Sequence, residues 1–176
     1  MSLTTPSGTT SQLICAVLAW QGGEIQSESW LLKLLYLTDW ENALRTGETL
    51  SGWDWVHGPY GPDCEGFLEI LHDLEWVQAK QRVWEAGEYT HIRLLEGWPN
   101  GDSECMARVQ GLLSRAPKTF AALKSHVDQT LPLLKTKIGE PLRLEEWVEK
   151  AHEAEVREFL DNLGEGDRKA MEYLAR

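Results

Sequence analysis

Apolar residues crowd most densely into one stretch of this chain. From Trp30 to Arg45 the first two turns of a helix would be apolar on nearly every side, whereas Thr38, Glu41, Asn42 and Arg45 give the last two turns one polar flank. A helix that is apolar all round is a buried helix, so this stretch is predicted to be the centre of a core. With Lys33, Asp39 and Glu41 inside a length of only about 24 Å at the helical rise, it is a poor membrane span. Two positions fit the buried role badly. On a helical wheel Lys33 falls between Leu37, Trp40 and Leu44, and Asp39 lies near the border with Leu32 and Ala43. Buried charges need partners or water.

The same periodicities place the other elements. A short apolar helix from Thr10 or Ser11 to Trp20 is stopped at Gly22-Gly23, as a left-handed C-terminal cap would stop it. Ser27 or Ser29 caps the central helix. The segment 47–61 reads as a structured loop with a short extended piece at Trp53 to His57, in which alternation puts Trp53, Trp55 and His57 on one side and Asp54 and Val56 on the other. Pro62 suits a first helical position, with Asp63 and Glu65 at the favourable end of the dipole, so a third helix is expected over about Pro62 to Leu74. The period then changes: Val77, Ala79 and Val83, and later Tyr89, Ile92 and Leu94, flank Glu85 to Glu88 as in a β-hairpin. A fourth helix carries Met106, Val109, Leu112 and Leu113. A fifth, opened by Pro117 and Thr119, carries Phe120, Leu123, Val127 and Leu131.

Past Gly139-Glu140-Pro141 the character shifts. Residues 140–169 hold ten acids and five bases, a net of −5, on a long amphipathic helix with Leu144, Trp147, Val148, Ala151, Phe159, Leu160 and Leu163; a short helix from Asp167 closes the chain. The expected fold is mainly α with a small β-hairpin, an α+β helical core around the central buried helix: three helices, the hairpin, then further helices. Residues 1–9 are expected to be a flexible leader, 10–135 the main helical domain, and 136–176 an acidic C-terminal helical extension packed on the same domain.

Composition sharpens this picture in three ways. Seventeen basic against twenty-eight acidic residues give a formal charge of −11. That balance opposes a phosphate-gripping role, which draws on cationic side chains, and suits a basic protein partner. Nine tryptophans against three phenylalanines suggest rings in contact surfaces as well as in the core. Cys15, Cys64 and Cys105 form no Cys-x-x-Cys pair, and the N-terminus lacks a basic segment followed by an apolar one, so a cytoplasmic chain with free thiols is expected.

Catalytic signatures are lacking. His57, His72, His91, His126 and His152 lie on different elements, and none pairs with another His or a Cys at zinc spacing. Gly58 to Gly61 is too proline-bound to present a run of phosphate-binding amides. No catalysis, metal or cofactor is expected. What remains is a polar and aromatic set near the central helix: Lys33, Tyr36, Asp39, Trp53, Trp55, His57 and Tyr60. These residues either line a groove for a partner or serve as structure, with Lys33 pairing Asp63 or Glu65 to lock the third helix on the second.

At these positions the sequence resembles the Panacea antitoxin domain, the SocA-like, phage-associated family. The resemblance rests on Lys-Leu-x-Tyr-x-x-Asp from Lys33 to Asp39, on Gly47 to Gly52, and on Tyr60-Gly61-Pro62 leading to Phe67 and Leu71. It covers about residues 10–135. It implies a mostly helical fold with a small hairpin and an antitoxin that binds its cognate toxin directly, as a dedicated chaperone would. The toxin is expected from the adjacent gene, and one related member hands its toxin to a protease. Lys33, Tyr36, Asp39, Gly52, Tyr60, Gly61 and Pro62 are the matching motif positions, with no catalytic role implied. Trp53-Asp54-Trp55 is more aromatic than the family pattern. The ending also differs, because the acidic helix stands where members often carry a Thr-His pair near a Pro-Trp. Its residues Glu145, Glu146, Glu149 and Glu153 are a candidate acidic partner face.

Two alternatives remain at this level. Three helices followed by a hairpin are the order of a winged helix-turn-helix, although the third helix carries no Lys or Arg and only Lys80, Arg82 and Arg93 on the hairpin offer cations. A phage or immunity protein acting on another target differs mainly in its partner.

Overall fold

In a computed structural model that describes residues 8–84, 87–98 and 103–162, the elements surround helix α2, Glu28–Thr46. Ser27 caps it by accepting from the Trp30 amide, and Gly47, at φ +82°, closes it by donating its N–H to the Ala43 carbonyl. The expected serine cap is met at Ser27, and the left-handed Gly47 supplies the stop. Between Leu31 and Ala43 nearly every side chain is buried, the charged Lys33 and Asp39 included.

Helix α1, Gly8–Trp20, packs its run Leu13 to Leu18 into the core. It starts at Gly8, within the expected leader of residues 1–9, of which 1–7 lie outside the described residues. After it, β1 (Glu24–Ile25) runs antiparallel to β5 (Gly87–Leu94), which pairs on its other side with β4 (Val77–Trp84). The hairpin β4–β5 matches the change of period along the chain, and β1 is an addition too short to show a period of its own.

The expected third helix begins later than Pro62. Gly61–Cys64 is instead a strand, β3, paired antiparallel with β2, Trp55–Gly58, and the helix α3 covers only Phe67–Asp73. Gly58 faces Gly61 across the two-residue turn Pro59-Tyr60, and Gly61 stands at φ +115°, a conformation that glycine tolerates. Pro62 faces His57 in the next pair. That is a non-hydrogen-bonded pair, where a missing N–H costs the ladder nothing.

The outer edge of β2 is also occupied. His57 N–H donates to the Glu140 carbonyl at 2.9 Å, Gly139 N–H to the His57 carbonyl at 2.7 Å, and Leu142 N–H to the Trp55 carbonyl at 2.8 Å. The segment linking the acidic helix to the rest of the chain is thus stitched to the aromatic strand.

Helix α4, Ser103–Leu112, buries Val109 and Leu112. The expected fifth helix is two: α5, Phe120–Asp128, and α6, Leu131–Lys135. Pro132 lacks the N–H that a continuous helix would need and crowds the preceding turn. Helix α7, Leu144–Asn162, packs its first two turns on α2 and α6. The expected closing helix from Asp167, and Leu163, lie outside the described residues. Helices make up 54% and strands 18%, and among the described residues the strands form two small sheets rather than one hairpin, so the architecture is mixed α+β.

Candidate functional site

Three polar side chains of α2, three residues apart, reach three different elements. Lys33 Nζ donates to Ser29 Oγ and to the Tyr60 carbonyl, both at 2.7 Å. Burial pushes its ammonium below the ordinary value, an effect that Asp128 opposes. The pairing with Asp63 or Glu65 expected from sequence is not made. Asp63 instead accepts from the Cys64 amide at 2.8 Å, and the carbonyl of the Pro59-Tyr60 turn takes the ammonium. Gly61 is bound into the same contact, because a Cβ there would lie 3.3 Å from Lys33 Nζ.

Tyr36 Oη lies 2.8 Å from Thr130 Oγ1. Thr130 spends its own proton on the Val127 carbonyl at 2.7 Å, so Tyr36 is the donor. The phenol therefore ties α2 to the break between α5 and α6, and its burial raises its pKa.

Asp39 is the most heavily bonded of the three. Its Oδ1 accepts from the Leu50 and Ser51 amides at 2.8 and 2.9 Å, and its Oδ2 accepts from Trp55 Nε1 at 2.8 Å and from the Ser51 hydroxyl. Burial pushes the carboxyl above its ordinary value, and these four donors oppose the shift. One carboxylate thereby fixes both the loop after α2 and the strand that carries Trp55. Gly52, at φ +65°, turns the chain between the two.

The seven residues of the candidate groove, together with the motif's Gly61 and Pro62, are therefore not one surface. Lys33, Tyr36, Asp39 and Trp55 are inside the core. Trp53 packs edge-on between Trp55 and Phe67 at centroid distances of 5.4 and 5.7 Å. His57 is half-buried, and its Nδ1–H donates to the Thr136 carbonyl at 2.8 Å. Gly61 and Pro62 are buried in β3, and only Tyr60, at 80% exposure, projects outward. Beside it a cleft of about 170 Å³ is lined by Glu28, Ser29, Leu32 and Asp63. Burial, then Asp63 and Glu69, raises the Glu28 carboxyl there.

No family model matches the chain, and neither a curated protein nor a solved structure matches it. The residues themselves must carry the argument. Among the described residues no group of three or more His, Cys, Asp or Glu is placed to hold a metal ion, and no helix is long and apolar enough to cross a membrane. Burial, with Cys105 nearby, pushes the Cys15 thiol up to about 11, and burial with four neighbouring carboxylates does the same for Cys64. Both are thiols rather than reactive thiolates at neutral pH.

The acidic face lies elsewhere. Glu145, Glu146, Glu149 and Glu153 are all exposed on α7, and Glu145, Glu149 and Glu153 line a groove of about 590 Å³ with Val148, His152 and Gly47. Glu146 instead meets Arg143 at 3.1 Å. His152 Nε2–H donates to the Leu44 carbonyl at 3.0 Å, anchoring α7 to the end of α2. The amphipathic pattern of α7 predicts a packed stripe, yet Phe159 is 58% and Val156 57% exposed. Sequence reasoning also missed Ser51, Thr130 and the Tyr60 carbonyl as bonding partners. Only Ser51 carried a signal, since it lies inside the Gly47 to Gly52 motif.

Proposed function

We propose that this chain is a cytoplasmic antitoxin-like protein of the Panacea kind, which neutralises a cognate toxin by direct protein contact. The observation that carries the reading is how the polar motif residues are used. Lys33, Tyr36 and Asp39 spend their hydrogen bonds inside the protein, so they act as structural locks. The exposed features are of the kind that binds protein: Tyr60 beside its cleft, and the apolar and acidic face of α7. Amphipathic surface flanked by charge is recognition surface. A chaperone-like grip, with handover to a protease, is compatible with a scaffold this firmly tied.

A DNA-binding role is the weaker reading. Helix α3 has only seven residues, and its acids Glu69 and Asp73 are exposed, so a phosphate backbone would be repelled where a recognition helix should sit. Co-expression with the adjacent gene tests the proposal. We expect the neighbour alone to arrest growth, and this chain to restore growth and co-purify with it. A harmless neighbour that never co-purifies overturns the reading.

A further inference from the structure

Beyond Ala151 every described side chain of α7 is exposed. The helix nevertheless keeps its periodicity: Val148, His152, Val156 and Phe159 recur at spacings of three and four, so they form one stripe. With Gly47, the stripe's Val148, His152 and Val156 wall the groove of about 590 Å³, Glu145, Glu149 and Glu153 edge it, and Phe159 extends the stripe past it. Glu155, Glu158 and Asp161 continue the negative charge, giving seven acids against Lys150 and Arg157 over Leu144–Asn162. Lys150 leans away onto the Trp147 ring, 4.3 Å from its centroid.

This charge selects the occupant. A second copy of the chain would bring a like-charged α7 against the first, which costs binding energy. An anionic membrane surface would repel it in the same way. From Val148 to Phe159 the stripe runs about 16 Å, the length of three helical turns. We propose that the exposed face of α7 is the docking surface for a cationic amphipathic helix of a protein partner. The partner's apolar side seats on Val148, Val156 and Phe159, and its Lys or Arg side chains meet the edging carboxylates, a helix-in-groove mode. Only the identification of that partner with the toxin rests on the antitoxin reading.

The probe is a short synthetic helix of Leu and Lys at amphipathic spacing, titrated into the isotope-labelled full chain and followed by NMR, beside a scrambled peptide of the same composition. Shifts should gather between Val148 and Asn162, and the scrambled peptide should bind at least about tenfold more weakly. The double variant Val156→Asp, Phe159→Asp should lose about tenfold or more in affinity with an unchanged melting curve, since both side chains are already solvated. Equal binding by the scrambled peptide, shifts centred on another face, or sedimentation as an α7-mediated dimer would each overturn the docking surface. The antitoxin reading is decided separately. A double variant that binds no peptide yet still neutralises the neighbour leaves the peptide site in place and detaches it from the toxin.

Discussion

Around α2 this protein buries charge and bonds it, whereas along the outer half of α7 it exposes apolar side chains among acids. Asp39 is fully buried and accepts four hydrogen bonds. Phe159, one of only three phenylalanines in the chain, is more than half exposed. In each region the sequence departs from the hydrophobic-inside rule, but with opposite consequences. A buried charge persists only where its bonds are met, so the polar signature of α2 marks where the core is tied to the segments around it. Exposed apolar surface has no such compensation among the described residues, so it marks a face open to a partner.

Removing a lock should cost most. Asp39→Ala leaves the Leu50, Ser51 and Trp55 donors without their acceptor, and we expect a loss of about 4 kcal/mol in urea unfolding. A loss no larger than that of a surface glutamate would show that Asp39 is not holding the loop. Gly61→Ala forces an L side chain into φ +115° against Lys33 Nζ. It should cost roughly 2 kcal/mol, and a thermal melt indistinguishable from wild type would rule out that close contact. For Tyr36→Phe the expected loss is about 1 kcal/mol, because Thr130 keeps its bond to the Val127 carbonyl; a full-sized collapse would mean the phenol supports more than this junction.

The cleft beside Tyr60 offers a smaller test through pH. Burial and the Asp63 and Glu69 carboxylates raise Glu28 above its ordinary value of 4.5 in the folded chain. Just above that value the folded state binds more protons than the unfolded one, so this contribution to stability is present at low pH and is lost as pH rises. Calorimetric melts from about pH 4 to pH 7 should therefore show a shallower fall, or a steeper rise, for Glu28→Gln than for the native chain. Identical pH profiles would mean that neither burial nor the neighbouring carboxylates raise Glu28 in the folded chain.

Much of the first region was legible in the sequence. The apolar density of α2 and its serine and glycine ends announce a buried helix, and Lys33 and Asp39 stand out as charges without a place in it. Their partners were not legible, because the Tyr60 carbonyl and the Leu50 and Ser51 amides are backbone groups that every residue carries. Pro62 misled for a related reason, since proline suits both a first helical position and a non-bonded strand pair, and four-residue strands show too little alternation to decide. Pro132 breaks α5 from α6 as proline chemistry dictates, although the spacing of Val127 and Leu131 continues across it. In α7 the period correctly marked the helix and its stripe. Whether another element covers that stripe depends on tertiary placement, on which periodicity is silent.

Charge reversal at Glu145, Glu146, Glu149 and Glu153 should leave stability within about 0.5 kcal/mol, because all four are exposed. This quadruple variant should be measured twice, by its melting temperature and by its ability to rescue cells expressing the adjacent gene. A native melting temperature with rescue lost is expected if the acidic face of α7 grips the toxin; full rescue at a native melting temperature would make that face ordinary solvated surface.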